Sequence, residues 1–557
     1  MTTRRTRSGL SDSPHRNGWN PLTLALLAGV WIAALPNGPL WQALISLPET
    51  QSGRGAVFVA GFGAMIAALT ALLLAFFAWR PTIKPAIALL LLAAAFGAHF
   101  MASYGVVIDT TMMTNVLQTD PREVRDLLSL RMVFSVLVLA GLPLLLLWRV
   151  PVRGLGVVRQ AGRNLLGLAA LVLVLAALLF SLFADLSATM RNHKAMRYLI
   201  NPVNSLYALV DLGMKSHARP SGPPVAIGAD ARILPRSAGT KPPLLVLVIG
   251  ETARADHFAL NGYAQPTNPE LAALGVTSFR NVMSCGTSTA ASLPCMFSAL
   301  GKKGFESRDR DHENLLDLVQ RAGMAVLWID NQAGCKSLCE RVPSAYAHDP
   351  IPGVPALPPA LCDGEDCLDE ALLYGIDARV AALPAAAREH GVLIVMHQMG
   401  SHGPAYYKRS PPGRKPFQPE CTTNVLQQCD NKALINAYDN SIAYTDHVLA
   451  RTIAWLKQQQ SGFDTSLLYL SDHGESLGEH NLYLHGLPYA VAPVEQKHVP
   501  MVLWLGPQTN VQAGCVAGQR DASLTHDNLF HSTLGLLGIR AAEYKQDLDA
   551  LTPCRAP

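Results

Sequence analysis

Four apolar runs in the second half of the chain each end in residues able to do chemistry. Leu244–Ile249 leads into Gly250, Glu251 and Thr252, and Ala325–Ile329 into Asp330, Asn331 and, shortly after, Lys336. Val392–Met396 leads into His397 and then His402, and Leu467–Leu470 into Ser471, Asp472 and His473. Open α/β sheets bind ligands outside the carboxyl ends of their strands, so four such ends from distant parts of the chain predict one shared pocket. Glu251, Asp472 and His473 supply two carboxylates and an imidazole, a donor set suited to Zn²⁺. His402 and His485, in the loops beyond two of these ends, offer a second metal position or a hold on a phosphate. Taken singly, a Glu after a strand is ordinarily a cap and a lone His an ordinary loop residue. Asp472 and His473 side by side at one strand end are less easily dismissed, and spacing alone leaves the metal and the plain reading evenly matched.

A metal beside carboxylates suits group transfer at phosphorus or sulfur, because it polarises the transferred oxygens and lowers the pKa of a bound hydroxyl. The nucleophile then falls in Ser284-Cys-Gly-Thr-Ser-Thr-Ala-Ala-Ser-Leu-Pro-Cys295, a run of small residues between two cysteines. Thr289 is placed to open a helix, where backbone N–H groups and the helix dipole stabilise a covalent phosphate. Composition does not separate Thr287, Ser288, Thr289 and Ser292, and a Ser/Thr-rich turn with an N-cap is the plainer reading of the same run.

The elements that must position these groups follow from the rest of the sequence. Short β-rich runs alternating with helical patterns predict an α/β domain with a mostly parallel sheet in the second half. The first half reads differently. Apolar runs at Pro21–Pro48 (interrupted by Pro36 and Pro39), Ala56–Trp79, Pro85–Ile108, Met132–Trp148 and Asn164–Ala184 predict five membrane spans, since hydrocarbon demands about 20 apolar residues. The first run is read as a retained anchor rather than a cleaved signal peptide. Charged residues make up 15% of the 557, against about 25% in a soluble chain, which excludes disorder and a single soluble domain. The net charge of +4 is too small to argue for a nucleic-acid partner. Basic residues concentrate in the tail (Arg4, Arg5, Arg7, Arg16) and in two short loops (Arg80, Lys84; Arg149, Arg153, Arg159, Arg163), against Arg54, Arg122 and Arg125 in the other two. That asymmetry places the N-terminus in the cytoplasm and everything after Ala184 outside.

All ten cysteines lie between Cys285 and Cys554. An even number confined to the external part predicts disulfides: Cys335/Cys339, Cys362/Cys367 and Cys421/Cys429 as local bridges, then Cys285/Cys295 and Cys515/Cys554. A zinc ribbon is the competing reading of the short spacings. Residues 186–217 are amphipathic and predict a helix lying at the membrane interface. Residues 219–243, with Pro220, Pro223, Pro224, Pro235, Pro242 and Pro243, read as a linker. The expected domains are therefore 1–185 (five spans), 186–243 (interfacial helix and linker) and 244–557 (catalytic).

Val248-Ile-Gly-Glu-Thr-Ala-Arg254, Cys285-Gly-Thr-Ser-Thr289, His397-Gln-Met-Gly-Ser-His402-Gly-Pro-Ala-Tyr-Tyr407 and Ser471-Asp-His-Gly-Glu-Ser476 together resemble the lipid A phosphoethanolamine transferases, a family that includes the mobile colistin-resistance enzymes. The resemblance covers the whole chain. It implies an α-helical membrane domain in the Gram-negative inner membrane, followed by an α/β domain of the alkaline phosphatase and sulfatase type in the periplasm. It selects Thr289 as nucleophile and implies one tight Zn²⁺ site made by Glu251, Thr289, Asp472 and His473. His402 and His485 match positions that hold substrate phosphate or a second zinc, and Lys336 matches a substrate-binding lysine. The family's donor-site residues carry over to Asn115, Thr119 and Glu123. By spacing these three share one helix face, although Pro121 interrupts a continuous helix. Gln332 and Ala333 stand where some relatives have Asn and Ser, which alters the head-group contacts.

The implied reaction moves phosphoethanolamine from phosphatidylethanolamine to a phosphate of lipid A through a phosphoethanolamine–threonine intermediate, in a monomer, and lowers sensitivity to polymyxins. The alternative keeps the chemistry and changes the acceptor to a core sugar, a periplasmic glucan or a protein. Cys285-Gly-Thr-Ser-Thr289 lacks the Pro/Ala and Arg of a sulfatase formylglycine motif, which weighs against a sulfatase. A non-catalytic binding protein would be missing a nucleophile or a ligand, and none is missing.

Overall fold

The computed structural model describes residues 18–119, 121–218, 222–236, 239–364 and 366–555. The four arginines of the N-terminal tail and Pro220 lie outside the described residues. The chain forms two compact units, one taking it up to Ser103 and from Ser129 to Ala208, the other joining Tyr104–Leu128 to everything from Leu209 onward. The segment 104–128 thus belongs with the α/β part and not with the helices that flank it in sequence. The boundaries differ in this from the expected 1–185, 186–243 and 244–557.

In chain order the helices are α1 (Pro21–Ala34), α2 (Gly38–Ile45), α3 (Gly53–Ala75), α4 (Ile83–Tyr104), then α5 (Thr110–Gln118) and α6 (Pro121–Leu127) in the segment just described, α7 (Leu130–Arg149) and α8 (Val157–Asn192). Among the described residues, α3, α4, α7 and α8 are each long and apolar enough to cross a membrane, and α1 with α2 makes a fifth candidate bent by 52°. The bend falls where Pro36 and Pro39 deny the helix its N–H donors. Hydrocarbon offers no water to satisfy backbone freed in this way. Two fully buried asparagines do it instead. Asn37 donates from its amide to Ile32 O (2.9 Å) and Asn201 O (2.6 Å), and Asn201 donates to Pro36 O (3.0 Å) and Ala94 O (2.6 Å). At the crossing of α1 and α3, a Cβ on Gly29 would lie 2.5 Å from Ala67 O, so only glycine lets the two backbones approach this closely.

The interfacial helix expected over 186–217 is broken into pieces. α8 runs on to Asn192, a 3₁₀ turn covers Lys194–Leu199, and a separate helix α9 spans Val203–Ala218. The physical reason is Pro202, which cannot donate and disfavours a helical Asn201 before it.

The second unit is built on an eight-stranded sheet. Its strands are β1 (Pro243–Gly250), β2 (Thr277–Met283), β3 (Ala325–Asp330), β4 (Ser344–Tyr346), β5 (Val392–His397), β6 (Asp464–Ser471), β7 (His498–Leu505) and β8 (Leu524–Thr525). Their order is β8-β2-β7-β6-β1-β5-β3-β4, with β7 antiparallel to both its neighbours and every other pairing parallel. β1, β3, β5 and β6 are almost uninterrupted apolar runs because helices and loops cover both faces. Leu245, Leu247, Phe279, Trp328, Leu468 and Phe530 lie in one buried core cluster. Helix α10 (Thr289–Met296) begins at the expected Ser/Thr run, and the long α11 (Asn431–Gln459) is capped by Asp430. All five disulfides pair as the spacing predicts, and no described cysteine is free, which disposes of a zinc ribbon.

Asn37→Ala leaves the Asn201 N–H and carbonyl without their partner in an apolar setting. The expected cost is about 1–3 kcal/mol, read as a lowered Tm of the detergent-solubilised protein. Leu166→Ala, on an exposed face of α8, is expected to leave Tm unchanged.

Candidate metal centre and active site

β6, β1, β5 and β3 are consecutive and parallel, so their carboxyl ends come out side by side as the sequence predicts. The pairing Gly250↔Ser471 brings the next residues, Glu251 and Asp472, to adjacent strand ends. Local hydrogen bonds fix both loops. Asp472 N donates to Gly250 O (2.9 Å), while Asp472 Oδ1 accepts from Thr252 N (3.2 Å) and His473 N (2.7 Å). Gly400, at φ +53°, lies against Glu251, where a Cβ would meet the Glu251 carbonyl at 2.8 Å.

One ligand atom from each of Glu251, Asp472 and His473 lies within 4.8 Å of the others, and all three residues are fully buried. His473 Nδ1 lies 2.9 Å from Gly474 O, which aims Nε2 at Glu251 Oε1 (3.3 Å) and Asp472 Oδ2 (3.4 Å). Thr289 Oγ1 donates to the Glu251 carboxylate (3.0 and 3.2 Å) and lies 3.4 Å from His473 Nε2. The other three candidate hydroxyls point elsewhere: Thr287 donates to Leu487 O, Ser292 accepts from Gly286 N, and Ser288 Oγ is buried without a partner.

The electrostatics of this cluster call for a cation. Asp472 Oδ2 is buried with no hydrogen-bond partner, a costly state for a carboxylate oxygen. Burial and the Glu251 charge push Asp472 up to about 6. Burial alone would also raise Glu251, but the hydrogen bond and charge of His473 override it and hold that carboxyl well below its usual range. Burial alone would depress His473, but the Asp472 and Glu251 carboxylates outweigh it and push the imidazole up to about 10. A proton on His473 thus compensates the two carboxylates, and a divalent cation fits the same place.

His485 and His402 stand beside the cluster, with ring centroids 4.3 Å (His473–His485) and 5.7 Å (His402–His485) apart. His485 Nδ1 is held by Glu475 Oε2 at 2.8 Å, and Glu475 Oε1 accepts from Tyr406. His402 Nε2 lies 3.6 Å from Glu123 Oε1, and Gln332 Nε2 donates to both Glu123 Oε1 (3.3 Å) and Glu251 Oε2 (3.2 Å).

Residues 66–216 match the family model described as phosphoethanolamine transferase EptA/EptB, and residues 243–539 match the sulfatase model. The chain is 38% identical to the phosphoethanolamine transferase EptA of Escherichia coli (strain K12), over 97% of this chain and 98% of the relative. The chain belongs to the EptA family of phosphoethanolamine transferases. It is also 38% identical to the phosphatidylethanolamine transferase Mcr-1 of Escherichia coli, over 95% of this chain and 97% of the relative. The solved integral membrane protein lipooligosaccharide phosphoethanolamine transferase A (EptA) from Neisseria meningitidis matches it with a TM-score of 0.88 at 31% identity, covering 96% of this chain and 99% of that one.

In this EptA-family chain, Glu251, Thr289, Asp472, His473, His402 and His485 come together, and Glu123 joins them from α6. Asn115, Thr119 and Glu123 do not share one helix, because α5 stops at Gln118 and α6 restarts at Pro121. Thr119 instead donates to the Asn115 carbonyl at 2.7 Å, and Lys336 Nζ donates to Gln118 O (3.4 Å) and Ala333 O (3.1 Å). Sequence reasoning missed Glu475 and Tyr406. Glu475 sits within the quoted Ser471–Ser476 motif, and only the fold shows which histidine it serves.

A divalent cation must displace the His473 proton to use Nε2. Binding near neutral pH is therefore expected to release about one proton, and affinity to fall roughly tenfold per pH unit as the medium is acidified. Calorimetric titration of the chelator-treated protein in buffers of different ionisation enthalpy checks this.

Proposed function

We propose that the protein transfers phosphoethanolamine from phosphatidylethanolamine to a phosphate of lipid A, as a monomer of the Gram-negative inner membrane. Its N-terminus is cytoplasmic and its α/β unit periplasmic, and its action lowers sensitivity to polymyxins. The observation that carries this reading is the Thr289 hydroxyl aimed into the buried Glu251–Asp472–His473 cluster. An acceptor that contains lipid A, though not the choice of its phosphate, is supported by a relative named Kdo(2)-lipid A phosphoethanolamine 7''-transferase in Escherichia coli (strain K12), 27% identical over 81% of each chain.

The donor set of carboxylate, imidazole and hydroxyl suits Zn²⁺, which Glu251, Asp472, His473 and Thr289 would hold. When bound it would lower the pKa of the hydroxyl and offset phosphoryl charge. The chain's own residues do the rest. Thr289 Oγ1 lies within hydrogen-bond reach of both Glu251 oxygens, so its proton leaves towards that carboxylate as Oγ1 attacks phosphorus. The Oγ1–P bond forms as the bond from phosphorus to the glycerol oxygen breaks, and diacylglycerol leaves as the alcohol with a proton from His485, which solvent restores. Thr289 opens α10, so free backbone N–H groups of the first turn face the phosphoryl oxygens. A lipid A phosphate oxygen then attacks the same phosphorus, the Oγ1–P bond breaks, and Thr289 recovers its proton. Burial lowers the His402 pKa, which leaves its imidazole neutral at rest and able to take up a proton. Lys336, Asn115, Thr119 and Glu123 line the donor side in this reading.

Mass spectrometry of lipid A from a polymyxin-sensitive host expressing the chain tests the proposal. The intact chain is expected to add a phosphoethanolamine increment and raise the polymyxin concentration tolerated, and Thr289→Ala to do neither. Unmodified lipid A from cells holding folded, membrane-inserted protein would move the acceptor to another envelope molecule.

A further inference from the structure

We infer that the turn Tyr406–Arg409 is the positioning centre of the active site, and that its ion pair with Asp126 latches the 104–128 segment over the metal cluster. The inference rests on the proposed function for what the site binds. Three links leave this one turn. Tyr406 donates to Glu475, whose other oxygen holds His485 Nδ1. Arg409 Nε donates to His402 O at 2.7 Å, and Arg409 Nη2 to Asp126 Oδ2 at 2.9 Å. Lys408 Nζ donates to Asp126 Oδ1 at 2.5 Å. Both flanking histidines and α6 therefore take their positions from four consecutive residues.

Among the described residues, the Asp126 side chain is held by this part of the α/β unit. Besides the two cations, its backbone carbonyl accepts from Asn424 Nδ2 at 2.7 Å, and Asn424 sits in the loop closed by Cys421–Cys429. The Arg409 and Asp126 side chains are 11% and 12% exposed, so loss of the Asp126 charge leaves the Arg409 guanidinium without its paired carboxylate. Glu123 lies three residues before Asp126 on α6, one turn away on the same face. Moving α6 moves both. The contacts close a circuit: Asp126 to Arg409, Arg409 to the His402 carbonyl, the His402 ring to Glu123 Oε1 at 3.6 Å, and Glu123 back to Asp126 along α6. Asp126, Lys408 and Arg409 are thus positioning residues. They act on the donor through Glu123 and His402 and touch no reacting atom.

The test uses the full-length protein in liposomes containing phosphatidylethanolamine, with diacylglycerol release as the readout. Asp126→Asn is expected to raise KM about tenfold while kcat stays within about threefold, because the segment binds donor but does no chemistry. Arg409→Ala is expected to raise KM and also lower kcat about tenfold, because it frees His402 as well. The Asp126→Asn/Arg409→Ala double variant is expected to match Arg409→Ala, as coupled groups do. A KM unchanged in Asp126→Asn, a fall in kcat alone, or additive effects in the double variant would overturn the latch. Amide exchange over Thr110–Leu127 in the same full-length protein decides independently of any substrate: Asp126→Asn is expected to speed it about tenfold, and unchanged exchange sinks the inference. A wild-type protein that releases no diacylglycerol refutes the proposed function instead, and the exchange measurement still rules on the latch.

Discussion

Two buried carboxylates placed at neighbouring strand ends are the constraint on which the rest of the α/β unit depends. Parallel strands lie about 4.8 Å apart, and the register Gly250↔Ser471 delivers Glu251 and Asp472 into the same small volume. Like charges that close cannot both stay ionised in an apolar interior without a compensating positive charge. A proton on His473 or a bound cation is therefore demanded by the backbone pairing itself. A slip of one residue between β1 and β6 would turn one carboxylate to the other face and remove the demand. The uninterrupted apolar sequences of these strands, buried on both faces, supply the packing energy that holds the register.

Beyond the strand ends the chain has no regular ladder to lean on, and buried side chains take its place. Asp369 accepts from Met399 N and Gly400 N and from Asn331, fixing the loop that carries His402. His526 accepts from Cys285 N through Nδ1 and donates to Ser471 O through Nε2. It ties the nucleophile loop to the strand that ends in Asp472. Burial keeps His526 neutral at about 3, as a ring that accepts at one nitrogen and donates at the other must be. Tyr438 on α11 receives Arg254 N and donates to Thr252 O. Such loops hold reactive groups to within fractions of an ångström only when their own hydrogen bonds are complete, and here most are.

What the sequence reveals divides along this line. The strand-end groups, the five disulfides and the apolar spans are visible because each is local: a motif adjoining an apolar run, or cysteines a few residues apart. The metal cluster becomes legible once four strand ends are assumed to meet. Glu475, Tyr406 and Asp126 are not legible, because their meaning lies in pairings such as Tyr406–Glu475 and Asp126–Arg409 that no spacing announces. The segment 104–128 was hidden for a related reason. Hydropathy marks it as a gap between spans, whereas its structural allegiance is set by Asp126 and Glu123 finding partners some 200 to 300 residues later. The single helix expected over 186–217 is interrupted before Val203, because the missing donor of Pro202 overrides an amphipathic side-chain pattern.

The two units differ in the charge of the polar groups they bury around their key bends and strand ends. Among the spans, four buried amides spend their N–H groups on backbone carbonyls: Asn37 and Asn201 at the α1–α2 bend, Gln160 and Asn164 on Ala78 O. That is what a medium without water requires of a structural group. In the α/β unit the buried groups at the strand ends include carboxylates, and one oxygen, Asp472 Oδ2, has no hydrogen bond at full burial and only the His473 imidazole 3.4 Å away. Structural economy alone would have filled that position with a donor or removed the charge. A fully buried carboxylate oxygen without a hydrogen bond, beside a second carboxylate, is a place where a cation would offset the cost of burial.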